Sequence, residues 1–366
     1  MVMDKKIKER NTLNPYLHED LIFNILVRLP ADVLHKSMRL VCKGWANIIR
    51  HPLFIEAHLL RANTGIFVES IDSPGCARFF EIKDGEVRVT ELKRQFPRRM
   101  VASCEGVSLF TDPIDHRALY VANPATLQVT KLPYLNLPPN PLFFSSSIAR
   151  ISPTGQYKVV HAYKDSRKVC HWLLLTVGVD NSWRKIDCHP AIGSGQIDLE
   201  CFPVSVGGVV YWIDFEFYLD GDNYFLAMDM GDETIHKVPI PSGRTDPCTY
   251  LKMGSYLSSF TLILPSTLQF EVCVLKDMCR GEWAKVYVIN IGTGGGIPRN
   301  LFCVFPIGWI NSDQILILEA LTSQGDVLLA YNVETQETKL VDFELCGCEF
   351  SQIHTNSLVS WITGSS

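Results

Sequence analysis

The chain has 366 residues, 47% of them hydrophobic and 10% aromatic, with a formal net charge of −5, which predicts a large buried core and more than one structural unit. The mildly acidic balance and short basic clusters argue against a nucleic-acid binder, because neutralising phosphates needs a basic face. No run reaches the about eighteen apolar residues of a membrane span, the start "MVMDKKIKERN" lacks a signal-peptide core, and twelve scattered cysteines read as reduced, buried thiols rather than a disulfide framework.

In chain order, residues 1–13 are expected to form a flexible N-terminus. From Leu17 to about Arg61 the apolar pattern is helical. Leu21, Ile25 and Leu29 stand at i, i+4 and i+8 with Ile22 and Leu26 beside them, and Pro30 stops that helix. A second short helix follows from Ala31 with Leu34 and Met38 on its inner face. The stretch "RLVCKGWANIIRHPLF" (39–54) then places Val41, Trp45 and Ile48 on one face of a third helix, and His51-Pro52 starts a last turn carrying Leu53, Phe54 and Leu59. Roughly forty-five residues of short helices bury little by themselves, so the unit is expected to complete its core against a partner.

After Gly65 the pattern becomes that of strands, with Val, Ile, Leu, Phe and Tyr runs broken by Gly, Pro, Asn and Asp. "LYVANPATLQVTKLP" (119–133), "FLAMDMGDETIHKVP" (225–239) and "LLAYNVETQETKLV" (328–341) share one design. Each is a strand running into Asn123, Asp229 or Asn332, a polar turn, and an exit through Lys131, Lys237 or Lys339. "TVGVDNSWRKI" (176–186) and "CVLKDMCRGEWAKV" (273–286) share a second design that ends on Trp183 and Trp283. Both designs recur at about 100 residues, so paired units of about fifty residues are expected, the size of a four-stranded propeller blade of the kelch type. About six blades follow, with a tandem of two-sheet sandwiches as the other possibility. Trp183 and Trp283 are expected at equivalent blade positions, each packed between sheets.

Other groupings read as structural. "KRQFPRR" (93–99) is a solvated loop or edge strand rather than a nuclear-localisation patch. Cys346 and Cys348 lack the further ligands of a metal site. "GTGGGIPRN" (292–300) lacks the Lys-Ser/Thr of a phosphate loop and reads as a connection between blades. Ser145, Ser146 and Ser147 read as a loop end, and Asp112, Asp115 and His116 as a solvated turn.

"YLHEDLIFNILVRLPADVLHKSMRLVCKGWANIIRHPLF" resembles the F-box motif of plant F-box proteins, with a leucine-rich first helix ending in Leu-Pro, a Val-Cys-Lys-x-Trp segment and a closing Ile-Ile-x-x-Pro-x-Phe. After Leu17 the family usually has Pro, where this chain has His18; Asn14-Pro15 offers a cap three residues earlier. "NPAT" (123–126), "YKVVHAY" (157–163), "SWRKI" (182–186), "GGVVYWID" (207–214), "LKDMCRGEWAKVY" (275–287) and "SLVSW" (357–361) resemble the F-box-associated domain of the same proteins. The resemblance implies a multidomain protein: an all-α F-box over 14–61, an all-β, propeller-like F-box-associated domain over 66–361 and a tail over 362–366.

It implies further a substrate receptor of a Skp–cullin–F-box ubiquitin ligase, located in the cytoplasm or nucleus. The F-box docks on a Skp-type adaptor, and through it on cullin and a RING subunit, while the β domain holds the protein to be ubiquitinated. No catalytic residue, cofactor or metal is implied, and neither nucleic acid nor membrane is a partner. Leu17, Leu21, Ile25, Leu29, Pro30, Val41, Cys42 and Trp45 match motif positions that face either the adaptor or the helical core, and the sequence does not separate the two roles. An interaction scaffold acting without the ligase and a propeller enzyme using two carboxylates across a pocket are the alternatives.

Overall fold

A computed structural model describes residues 17–361 apart from 71–76, 84–85, 93–98, 113, 140, 142, 153, 188–202, 214–223, 241–247, 265–267, 292–300, 324 and 342–347. The expectations for 1–13, 362–366, Asn14-Pro15, Cys346 and the glycine-rich 292–300, and for 93–98 of the basic cluster, lie outside the described residues.

The helical segment forms α1 (Glu19–Leu26), α2 (Ala31–Lys36), a 3-10 turn (Met38–Leu40), α3 (Lys43–Arg50) and α4 (Pro52–Leu59). Side chains at the starts set three of these boundaries. His18 Nδ1 accepts from Asp20 N at 3.4 Å, Cys42 Sγ from Trp45 N at 3.4 Å, and His51 Nδ1 from Leu53 N at 3.3 Å, each satisfying an amide that a helix start leaves unpaired. His18, standing where the family usually has Pro, is thus itself the cap of α1. Residues 39–54 are not one continuous helix: Cys42 is extended at φ −160°, so Val41 stays outside α3 while Trp45 and Ile48 lie within it.

The remaining described strands form six four-stranded antiparallel sheets. Blade 1 joins Thr64–Ser70, Ala77–Lys83 and Glu86–Leu92 to the C-terminal strand Cys348–Thr355, which takes the inner place with Gly65 opposite His354. Blades 2 to 6 are meanders whose first, inner strands are Arg99–Cys104, Phe144–Ile151, Val204–Val206, Cys248–Met253 and Leu301–Ile310. Each inner strand touches the inner strands of both neighbouring blades, and the contacts close into a ring. The architecture is a six-bladed propeller, and the tandem-sandwich alternative falls. Blade 1 ties the two ends of the β domain together, removing the free edges an open ring would leave.

Six apolar layers lie between successive blades. Leu174 packs with Val210 and Trp212 of blade 4, while its neighbour Leu175 packs with Val107 and Leu109 of blade 2. A strand with a neighbouring blade on each side buries both faces, which is why "WLLLT" reads as a continuous apolar run rather than an alternation. Cys104, Cys170, Cys248 and Cys273 are buried in this packing, whereas Cys42 and Cys279 are exposed.

Both repeated designs have a structural cause. Asn123, Asp229 and Asn332 each end the third strand of a blade and accept, through Oδ1, from the amides two and three residues on. The residue before each fourth strand, Leu127, Glu233 or Gln336, takes positive φ near 60°. Trp183 and Trp283 sit at the starts of the outer strands of blades 3 and 5. Their indoles donate to the carbonyls of Pro133 at 2.6 Å and Pro239 at 3.3 Å, just past or at the end of the preceding blade's outer strand. The tryptophans are therefore equivalent, and each stitches its blade to the one before.

Ser145, Ser146 and Ser147 correct the sequence reading: they lie buried inside the inner strand of blade 3, not in a loop end. Three small hydroxyl residues have weak strand propensity, and here tertiary bonds hold them. Ser145 Oγ accepts from Trp212 Nε1 at 2.9 Å, and Ser146 Oγ bonds His161 Nδ1 at 2.8 Å.

Candidate docking surfaces

Helix α1 is apolar on two sides. Its inward residues Ile22, Phe23 and Leu26 join Leu34, Ile48, Ile49 and Phe54 in the helical core, with Phe23 edge-on to Phe54 at 5.1 Å. Its outward residues Leu21 and Ile25 are more than half exposed, as are Leu17 before the cap and Leu40 and Val41 after α2. Single exposed leucines are ordinary, but with Leu53 and Leu60 the unit of about forty-five residues exposes seven large apolar side chains, a surplus that awaits a partner.

The eight residues matched to the motif divide accordingly. Leu17, Leu21, Ile25, Pro30, Val41 and Cys42 are exposed, while Leu29 and Trp45 are half-buried against the helical core. The Leu29 carbonyl also accepts from His58 Nε2 at 3.0 Å, and burial holds the His58 imidazole below its usual range despite that bond. Leu40 and Leu53, both exposed, were not among the eight.

The helical unit does not hang free. Ala125 of the blade 2 turn and Leu358 of the C-terminal segment belong to its core, and Ile55 and Leu59 of α4 pack onto the layer between blades 2 and 3. Asn123, fully buried, donates through Nδ2 to the carbonyls of Ser357 at 3.0 Å and Val359 at 2.7 Å, fixing that segment. Ser357 in turn lies against Gly106, at φ +86°, where an added Cβ would come within 1.8 Å of the Ser357 Oγ. Arg150, largely buried, pairs with Glu56 of α4 and, at 3.1 Å, with Glu105 of blade 2. Residues 60–63 alone separate α4 from the first strand of blade 1. The partner that completes the helical core is thus the chain's own β domain, and the surplus apolar side chains stay exposed in its presence.

Ala125, Arg150 and Gly106 all lie at or beside turns joining the first to the second, or the third to the fourth, strand of a blade. In a meander those turns share one end of the disc, so the helices sit there. A central channel of about 570 Å³ runs between the inner strands. Ser103, Ser147, Thr249, Lys252, Phe305 and Glu319 are among its walls.

Asp112 and Asp115, grouped with His116 in the sequence, are tied into their own turn. Asp112 Oδ1 accepts from the amides of Ile114 at 2.9 Å and Asp115 at 3.3 Å, and Asp115 Oδ2 accepts from Tyr134 OH at 2.6 Å. That last bond holds the Asp115 carboxyl below its usual value, and the pair closes a surface turn. Among the described residues no three His, Cys, Asp or Glu side chains are placed to hold a metal ion, and no helix is long and apolar enough to cross a membrane.

The sequence profile of a family described as the F-box associated beta propeller domain matches residues 68–363. Among curated proteins, an F-box/LRR-repeat protein of Arabidopsis thaliana is 23% identical over 313 residues, covering 78% of this chain and 70% of the relative. A putative F-box protein of the same plant is 21% identical over 348 residues, with 88% and 84% covered. A third Arabidopsis relative, an F-box protein, is 21% identical over 350 residues, with 86% and 82% covered.

Proposed function

The chain belongs to the plant F-box proteins that carry an F-box-associated β-propeller domain, and from that premise we propose that it is the substrate-recognition subunit of a Skp–cullin–F-box ubiquitin ligase. In this reading the outward face of the helical unit, with Leu17, Leu21, Ile25, Pro30, Val41 and Cys42, docks on the Skp adaptor, and the adaptor brings cullin and the RING subunit. Leu29 and Trp45 act from behind, holding that face in shape. The propeller binds the protein to be ubiquitinated and performs no chemistry itself. The complex works in the cytoplasm or nucleus.

The observation that carries the reading is the apolar surplus on α1. Leu21 and Ile25 stay more than half exposed although the helical unit has already closed its core on the propeller. An amphipathic helix laid in a groove buries such i, i+4 anchors. The short junction at 60–63 and the Glu56–Arg150–Glu105 bridge support a receptor of fixed geometry, which presents its far end at a set distance from the adaptor. Co-purification of the full chain with a Skp adaptor tests the proposal; a wild-type chain that captures none would replace it with the scaffold reading.

A further inference from the structure

The channel's charged walls are unevenly satisfied. Towards the end that carries the helices, Glu105 is bound to Arg150, and burial pushes the Asp313 carboxyl up, against the opposing pull of the Gly254 backbone bond and of the Lys252 charge. Glu319 stands further along, opposite Phe305 in the pairing of the first two strands of blade 6. Among the described residues no hydrogen bond or ion pair reaches its carboxylate. Burial and, after it, the charge of Asp326 push that carboxyl up, so its negative charge is uncompensated. Phe305, beside it, is 45% exposed although it lies on an inner strand, and Phe302 on the same strand is three-quarters exposed.

An uncompensated, half-buried carboxylate against an open aromatic face suits one chemical class. A cationic side chain gains a charged hydrogen bond from the first and a cation–π contact from the second. A cavity of about 570 Å³ has room for a peptide segment around such a side chain. Ser103 and Thr249 on other inner strands line the same cavity; the Ser103 hydroxyl, bonded to His354 Nδ1 at 2.9 Å, keeps capacity for a second bond.

We infer that the Phe305–Glu319 wall of the central channel is a subsite for a lysine or arginine side chain of the protein that the propeller holds. The inference rests on the receptor reading and sharpens it: targets are chosen partly by a basic residue that enters the channel.

The test is selection of random decapeptides on the purified full chain, with adaptor capture measured in parallel on the same protein. Lys or Arg should be enriched at one position. E319Q should bind the selected peptide about tenfold more weakly or worse, as expected when one member of a desolvated charge pair is removed. F305A should weaken it severalfold, and both variants should capture the adaptor like the wild type. Changing the selected Lys or Arg of the peptide to norleucine gives the same reading on the wild-type chain, should E319Q fail to fold. Selection of no peptide, peptides without a basic position, or equal binding by E319Q and of the norleucine peptide would each overturn the inference. Failure of the wild type to capture an adaptor would sink the receptor reading instead, and leave the peptide result standing.

Discussion

The double variant L21A/I25A separates docking from folding. Both side chains are more than half exposed, while their neighbour Leu26 is fully buried. Complete burial of a Leu or Ile side chain is worth about 1.5–3 kcal/mol, so covering the exposed half of each contributes about 1 kcal/mol. Anchors at the centre of an interface exceed their area term and reach about 2 kcal/mol each on truncation. The pair should therefore weaken adaptor binding by about 2–4 kcal/mol, roughly thirty- to a thousand-fold.

Folding should hardly notice. Alanine is the best helix former, and exposed substitutions usually stay within about 0.5 kcal/mol each. L26A is the contrast, since it empties a buried site at a cost of about 2–5 kcal/mol and should loosen the whole helical unit. Pairing Ile25 with Leu29 instead would confound the two effects, because Leu29 packs into the helical core and offers its carbonyl to His58. Calorimetric titration of the full chain with a Skp adaptor gives the affinity, and circular dichroism gives the fold. A folded L21A/I25A chain binding within about threefold of wild type, a difference under about 0.7 kcal/mol, would refute the assignment of this face.

N123A should cost about 2–4 kcal/mol in denaturant unfolding, because it leaves the Ser357 and Val359 carbonyls unpaired in a buried site. N332A should cost about 1 kcal/mol or less, since the bonds its Oδ1 accepts from Glu334 N and Thr335 N lie in an exposed turn. Each of W183F and W283F removes a bond to the preceding blade and should lower stability by about 1 kcal/mol, with the two similar in thermal melts. Burial holds the His161 and His354 imidazoles down to about 3, so both rings stay neutral in the folded chain. The unfolded chain takes up those protons near the ordinary value of 6.5, so stability is full above that pH and falls from there toward about 3. Denaturant midpoints at pH 7.5 and 5.5 should show the loss, and imidazole NMR at pH 5.5 should show two neutral rings.

What the sequence by itself determined is local. Pro30, the His51-Pro52 start and the 3.6-residue stripe act within a turn or two, so the helices are legible in the sequence, except that the stripe runs on through Cys42, whose cap keeps Val41 out of α3. The turn residues Asn123, Asp229 and Asn332 bond their own following amides, and for that reason the blade period shows in the bare string. Tertiary structure decided everything that depends on distant partners. Blade 1 is completed by a strand nearly three hundred residues away, with Thr64 opposite Thr355, and no local signal encodes that pairing. Ser145, Ser146 and Ser147 are strand because Trp212 and His161 bond two of them from other strands. Leu21 and Leu26 look alike in the sequence; the propeller, by covering one side of the helical unit through Ala125 and Leu358, decides which side of α1 remains for a partner. Phe305 and Glu319 meet only across a strand pair, and their common opening on the channel exists only once six blades have closed the ring, because burial and charge balance are properties of the surroundings and not of the residue.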